Sequence, residues 1–478
     1  MLKNISLSNF KSFKEVSNLE LGSLTVLSGL NSSGKSSVYQ ALNFFVQTED
    51  SHDREHYELI TNGSLSRMGL PSEILHDSKN SEIKFKFSWA DDSFLESVFN
   101  LRSESEKLVL TKISYEKTLK KNEVVSYSAV MNKGSWSVVG VKTFSLNDAV
   151  QAMIIQKLIQ DKHKGIERFY ENEVKFEAVS IKILSAQLHS VKVKFDQFIN
   201  CIQPEYQDCL DEDIFEKMCR NNGVAYDGTI TLKNSFLLPL TNLNSNEYLY
   251  QPAFRGQPER LYIDSVLPNP LSQFQDKLDS NIPYKFNFKD NKNENAKIEV
   301  ALKYWLKDRF NLVDDVYVKE VLGNYASAIM VKIGNKEFAI NNVGFGVSQI
   351  LPVIYQVLQH PKKKMFVIDE PEVHLHPQLQ SKLADFFFEM ALIGKQIIIE
   401  THSEYLINKL IFLSLKYSEQ KEKIKLYWVA REQEQSKVYS IEYDELGYIK
   451  NSPLGFLSEQ KKIAEELNEI RLSNLNRK

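Results

Sequence analysis

Between residues 24 and 37 the chain reads LTVLSGLNSSGKSS, where Gly29, Gly34, Lys35 and Ser36 satisfy the pattern G-x-x-x-x-G-K-S. No other stretch constrains the fold as strongly. An apolar, β-rich run ends in a turn of small residues, and SVYQALNFF follows with helical spacing. Small residues let the backbone wrap an anion, so the N–H groups across Gly29, Asn31, Ser32, Ser33, Gly34, Lys35, Ser36 and Ser37 form a nest. The next helix aims its positive end at the same charge. In such a loop Lys35 reaches the β and γ phosphates of a nucleotide and the Ser36 hydroxyl ligates Mg²⁺. A chance match on a glycine turn is the competing reading, and the flanking strand and helix weigh against it.

Three further segments fit the same chemistry. Met365–Pro371 reads MFVIDEP, a buried strand carrying Asp369 and Glu370 at its carboxyl end, where α/β sheets place ligands. Asp369 is a candidate for the magnesium shell and Glu370 for orienting and polarising an attacking water. QIIIETHS ends a second apolar strand in Thr401-His402, and His402 is a candidate sensor of the γ phosphate. A lone histidine there is more often structural; its place after the carboxylate strand and one helix raises it. Val343–Gln349, VGFGVSQ, opens a helix with two glycines and Ser348, another anion-binding start. An ordinary glycine-rich cap is the alternative.

The remainder organises around these segments. Strand, helix, strand, helix, strand from about residue 326 to 403 indicates a parallel α/β core. Residues 81–142 alternate in short β-rich runs, as an antiparallel lobe does. From about 145 to 222, LNDAVQAMIIQKLIQDKHKGIERFYE and VSIKILSAQLHSVKVKFDQFI carry helical spacing with few glycines. The expected division is therefore 1–144, 145–235 as a mainly helical insertion, and 236–478. The net charge of −3 makes no whole-chain case for nucleic acid, although a local basic groove stays open. No apolar stretch approaches the ~20 residues that span a bilayer, and the start lacks the apolar core of a secretion signal. Cys201, Cys209 and Cys219 are odd in number and fit no common zinc spacing. They read as reduced thiols, and a cytoplasmic location is expected.

Together these residues resemble the RecF/SMC-like branch of ABC ATPases. LSNFKSFKEV with LTVLSGLNSSGKSS looks like the start of those proteins, and NNVGFGVSQILPVI, VIDEPEVHLHPQLQSKLADFF and IIIETHSEYLINKL are closer still. These three, with QPAFRGQPERLY and IEYDELGYIKNSPLGF, resemble standalone bacterial anti-phage defence ATPases of the Septu type. The resemblance implies an ABC-type P-loop ATPase head with a parallel core sheet, an antiparallel β lobe and a helical insertion. It implies ATP and Mg²⁺, hydrolysis by Glu370 and His402, and closure of a homodimer or larger homo-oligomer. Gly346, Ser348 and Gln349 then occupy the signature that binds the γ phosphate of the opposing subunit. It further implies regulation of a partner effector, an HNH nuclease or other toxin. A RecF-like ATPase acting on DNA and an ATP-sensing scaffold of very low turnover are the alternatives.

Two features depart from the family. Gly346 stands where L-S-G-G-Q carries its serine, which predicts slow turnover and a contact resting on backbone N–H groups and Ser348. No convincing glutamine loop follows the first helix, Gln47 lying very close to it. His374 and His376 beside Glu372 invite a metal site, but the resemblance places HLHP in a dimer-contacting loop. Asp211-Glu212-Asp213 reads as a solvated loop. The stretch after His402 is short for the Toprim domain of related nucleases and contains no D-x-D pair.

Overall fold

The computed structural model describes residues 1–49, 58–118, 124–132, 135–139, 142–146, 174–176, 181–183, 190–194, 212–221, 226, 228–233, 247–253, 262–263, 281–321, 326–360, 365–450 and 466. The chain divides into two compact units. One comprises Met1, residues 20–40 and 246–478; the other comprises 2–19 and 41–245.

The first unit is built on a six-stranded sheet. Its strands are β3 (Leu24–Gly29), β14 (Tyr248–Gln251), β21 (Met365–Asp369), β22 (Gln396–Glu400), β23 (Ile424–Glu432) and β24 (Gln435–Ser440), in the order β14-β21-β22-β3-β23-β24. The pairs from β14 to β23 are parallel and β24 closes the edge antiparallel. β3 and β22 are buried at every residue, and β21 at all but Asp369. Such continuous apolar runs belong to parallel strands covered on both faces. The same unit holds β15 (Tyr262–Ile263), β16 (Asn281–Asn287) with β17 (Lys292–Lys297), and β18 (Asp315–Val321), β19 (Ala326–Ile333) and β20 (Lys336–Ala339).

Helices α4 (Phe345–Gln359), α5 (Pro377–Leu392) and α6 (Glu404–Lys416) supply the core residues that cover this sheet, among them Ile350, Ile354, Phe386, Phe387, Leu406 and Leu410. Each start is chemically marked. Gly344 precedes α4, His376 caps α5 by accepting from the Gln378 N–H, and Ser403 caps α6 by accepting from the Leu406 N–H. His376 is thus a helix cap. A short helix, α3 (Ile298–Lys303), runs into a π-helical turn over Tyr304–Arg309, where Trp305 is fully buried and Arg309 pairs with the buried Glu389 at 2.9 Å.

Lys395, after the Gly394 turn, is buried and donates to Val357 O at 2.6 Å and His360 O at 3.2 Å. It caps the carboxyl end of α4, where a cation suits the helix dipole. Burial pushes its pKa down to about 7. Because the folded value lies below the unfolded one, the unfolded chain binds the extra proton between about pH 7 and 10.5, and stability rises with pH across that window. Lys395→Met removes this dependence. The melting difference between variant and wild type should therefore shift in favour of wild type from pH 7 to 9, by up to about 1.4 kcal/mol per pH unit. A pH-independent difference in thermal melts would show that the ammonium stays solvated.

The second unit carries β1 (Leu2–Phe10), most of β2 (Phe13–Glu20), β4 (Glu82–Trp89), β5 (Phe94–Arg102), β6 (Lys107–Thr118), β7 (Val124–Asn132), β8 (Ser135–Val139) and β11 (Ile181–Ile183). They form one eight-stranded sheet in the order β11-β8-β7-β6-β5-β4-β1-β2, with every described register from β1 through β11 antiparallel. Phe10, Phe44, Phe45, Phe85, Phe87 and Phe99 make edge-on contacts within this unit. Its smaller sheet orders β10 (Val174–Phe176), β9 (Lys142–Leu146), β13 (Thr229–Lys233) and β12 (Ser190–Lys194). The segment VSIKILSAQLHSVKVKFDQFI, expected helical, therefore contains two short strands, β11 and β12. IKI and SVKVK alternate polar and β-branched residues, a pattern that pairs well once a partner strand is available. α2 (Glu212–Asn221) is helical, so Glu212 and Asp213 lie in a first helical turn. Most of the expected insertion, including residues 147–173, lies outside the described residues. Among the described residues no helix is long and apolar enough to cross a membrane.

Candidate functional site

β3 ends at Gly29 and α1 (Lys35–Glu49) begins six residues later, so the phosphate-type loop is residues 29–34. A Cβ on Gly29 would lie 2.2 Å from Val429 O of the adjacent strand and 2.8 Å from Ser33 Oγ. Only glycine fits that close approach. Gly34 has φ +96° and Ser32 φ +60°, the left-handed conformations that turn successive N–H groups the same way. Lys35 lies inside the loop, 3% exposed, with Nζ donating to Leu30 O at 3.0 Å and Gly29 O at 3.3 Å. Asn31 and Ser32 are exposed at the lip, Ser33 and Ser37 are buried, and Ser36 is half-buried.

The two acidic and histidine segments converge on this loop because β21, β22 and β3 are consecutive parallel neighbours. Asp369 pairs with Glu400 in register, and Glu400 pairs with Leu27. Glu370 has φ +40°, a strained conformation for a residue with a side chain and one that clusters at functional sites. Its N–H donates to Glu400 O at 2.9 Å, and its Oε1 lies 3.5 Å from His402 Nε2. Burial and the Lys35 ammonium hold the His402 imidazole below its ordinary pKa, against the pull of Glu370. His402 is therefore neutral near pH 7, able to accept or donate one proton.

Two residues outside the sequence-predicted triphosphate site complete the arrangement. The Glu372 carboxylate is buried and accepts from the His402 N–H at 2.7 Å, tying the loop after β21 to the loop after β22. Glu400 ends β22, 4% exposed, with Oε1 3.6 Å from Lys35 Nζ. Burial and the neighbouring Asp369 raise its pKa to about 7, with hydrogen bonding from Ser36, the Lys35 charge and Tyr39 opposing. Both belong to segments legible in the sequence, but their roles depend on which strands are neighbours. Among the described residues Glu370, Glu400 and His402 each offer a ligand atom within 4.8 Å of the others.

The donor set suits a hard divalent cation. Ser36 supplies a hydroxyl, Asp369 a carboxylate at the strand end, and Glu400 a buried Oε2 without a hydrogen-bond partner. Mg²⁺ bound there would supply charge neutralisation at the β and γ phosphates. The loop, Asp369, Glu370 and His402 are thus brought together at the ends of neighbouring parallel strands.

The glycine-rich segment is placed differently. Ser348 and Gln349 are 5% and 4% exposed, within the buried start of α4. Exposed in this stretch are Asn341, Asn342 and Gly344, with Gly346 partly so. Gln47 is likewise engaged locally: its amide donates to Ile60 O and its Oε1 accepts from the Ser66 N–H at 3.0 Å. His374 is exposed at φ +65° beside Leu375.

Solved structures similar to this chain include the SMC head domain from Thermotoga maritima, at 11% identity and TM-score 0.33, covering 92% of this chain and 99% of that one. Another is an SMC head bound to the C-terminal winged-helix domain of ScpA, at 10% identity and TM-score 0.38, covering 92% and 98%. A third is the Smc head with an extended coiled coil bound to the C-terminal domain of ScpA from Pyrococcus furiosus, at 12% identity and TM-score 0.36, covering 98% and 99%. No curated protein matches the chain. The family model described as the AAA ATPase domain matches residues 1–407, and the chain belongs to that family of ATPases.

Proposed function

We propose that this chain binds and hydrolyses ATP as an ABC-type ATPase that dimerises on Mg-ATP and regulates a partner effector in an anti-phage defence complex. One observation carries the ATPase reading. The Gly29–Ser37 loop, the Asp369-Glu370 strand end and His402 lie on neighbouring parallel strands, with Lys35 and His402 both in electrostatic contact with the carboxylates. Lys35 and the loop N–H groups hold the phosphates, Ser36 and Asp369 hold the cation, Glu370 orients water, and His402 meets the γ phosphate. The defence role is supported by the segments that resemble Septu-type ATPases. Destructive chemistry is assigned to the partner, an HNH nuclease or other toxin, and capture of the native complex followed by mass spectrometry identifies it.

The dimer is tested at Gly346. A Cβ there would stand 3.5 Å from His374 O and Leu375 Cδ2, an ordinary contact, so the monomer accepts a side chain. Gly346→Glu puts a carboxylate where the opposing γ phosphate would dock, and like charges disfavour closure. The variant should bind ATP within about threefold of wild type while its ATP-induced dimer, read by light scattering, weakens at least about tenfold, worth roughly 1.4 kcal/mol. A Gly346→Glu protein that dimerises and hydrolyses normally reduces the segment to a helix cap.

A further inference from the structure

We infer that Glu400 is a third protein anchor for the divalent cation that accompanies the nucleotide, beside Ser36 and Asp369. The inference rests on the Mg-ATP reading of the loop. Glu400 ends β22 between Asp369 of β21 and the last residues of β3, so its carboxylate is delivered to the side of the loop where the first turn of α1 carries Ser36. Its two oxygens have unequal surroundings. Oε1 is 3.6 Å from Lys35 Nζ and the carboxylate also draws on the Ser36 and Tyr39 hydroxyls, whereas Oε2 is buried with no hydrogen-bond partner of its own.

A buried polar atom left without a partner is destabilising, because its lost hydration is not replaced. Lys35 does not relieve it, since the ammonium already serves Leu30 O and Gly29 O as well as Oε1. A triphosphate in the loop would draw on the same ammonium. Two carboxylates would then face a polyanion with one shared lysine, a balance that calls for added positive charge. A hard cation meets the requirement: Mg²⁺ takes oxygen ligands, keeps several waters, and is held by one or two carboxylates together with phosphates. Ser36, Asp369 and Glu400 form such a set, by direct contact or through bound water. Gln47, late in α1, is committed to Ile60 and Ser66.

The experiment separates cation binding from nucleotide binding and from turnover. The probe is Mn²⁺, followed by electron paramagnetic resonance of the free ion, with the full chain saturated by a non-hydrolysable ATP analogue. Analogue affinity is measured separately in EDTA. Glu400→Gln keeps shape and hydrogen bonding but loses charge. It should weaken Mn²⁺ about tenfold or more, as loss of supporting ligands does, with metal-free analogue affinity unchanged or improved. Asp369→Asn should weaken Mn²⁺ in the same way. Glu400→Asp keeps the charge and should restore most of the affinity, and it serves if the Gln variant fails to fold.

Unchanged Mn²⁺ affinity in Glu400→Gln, alongside a loss in Asp369→Asn, overturns the inference. In that case a rise in metal-free analogue affinity makes Glu400 only a latch on Lys35. An equal loss in His402→Gln places the ion on the Glu370 side and overturns the assignment to Ser36 and Asp369. If wild type takes no analogue with or without Mn²⁺, the parent reading falls and this inference with it.

Discussion

Glu370→Gln abolishes turnover, by about 10²–10⁴-fold, while ATP affinity stays within a few fold. The carboxylate is the group at the end of β21 that faces His402, at 3.5 Å, and its backbone is held at φ +40° by the chain reversal after the strand. Gln is the same size and accepts the same backbone geometry, so ground-state binding survives. What it lacks is the charge proposed to polarise water toward the γ phosphate. Single-turnover hydrolysis with radiolabelled ATP measures this directly, and the variant should also accumulate the closed dimer. Wild-type turnover in Glu370→Gln would hand the water to another group, with His402 next, since it stays neutral at physiological pH and reaches the same space.

Lys35→Ala removes ATP binding, with affinity falling at least about a hundredfold, roughly 3 kcal/mol or more. Two effects add. The ammonium is the cation buried inside the loop, and its removal takes away a charge-assisted contact with the phosphates. It also leaves Glu400, already paired in register with Asp369, without its counter-ion in the same buried space. An incoming triphosphate then meets uncompensated negative charge. Calorimetric titration of wild type and variant, with circular dichroism to confirm the fold, tests the expectation. Equal affinities in two folded proteins would remove residues 29–37 from nucleotide binding.

Much of this site was legible because its signals are local. Gly29, Gly34 and Lys35 carry their meaning in their spacing, and the loop they imply is the loop observed between β3 and α1. MFVID and QIIIE are continuous apolar runs, which announce buried parallel strands without any knowledge of their neighbours. Glu400 and Glu372 were not legible in the same way. Their importance follows from β22 lying between β21 and β3, a pairing that joins residue 400 to residue 27 and cannot be read from spacing. At Ser348 and Gln349 spacing marks a glycine-rich helix start but says nothing of burial, and both residues lie buried at the start of α4. In VSIKILSAQLHSVKVK the scarcity of glycine favoured helix, whereas two short β-branched runs found partner strands in β8 and β13.

The place of β3 in its sheet has a consequence for synthesis. It lies between β22 and β23, so neither edge of LTVLSG can pair until Gln396–Glu400 and Ile424–Glu432 have left the ribosome. At about 5–20 residues per second, that is a wait of roughly 20–80 s for an apolar strand made among the first residues. Through that interval the phosphate loop has no strand beside it, since the Val429 carbonyl against which Gly29 packs does not yet exist. Nucleotide therefore cannot assist the nascent chain, and a ribosome-bound chain ending before residue 396 should depend on chaperones in a way that added ATP does not relieve by direct binding.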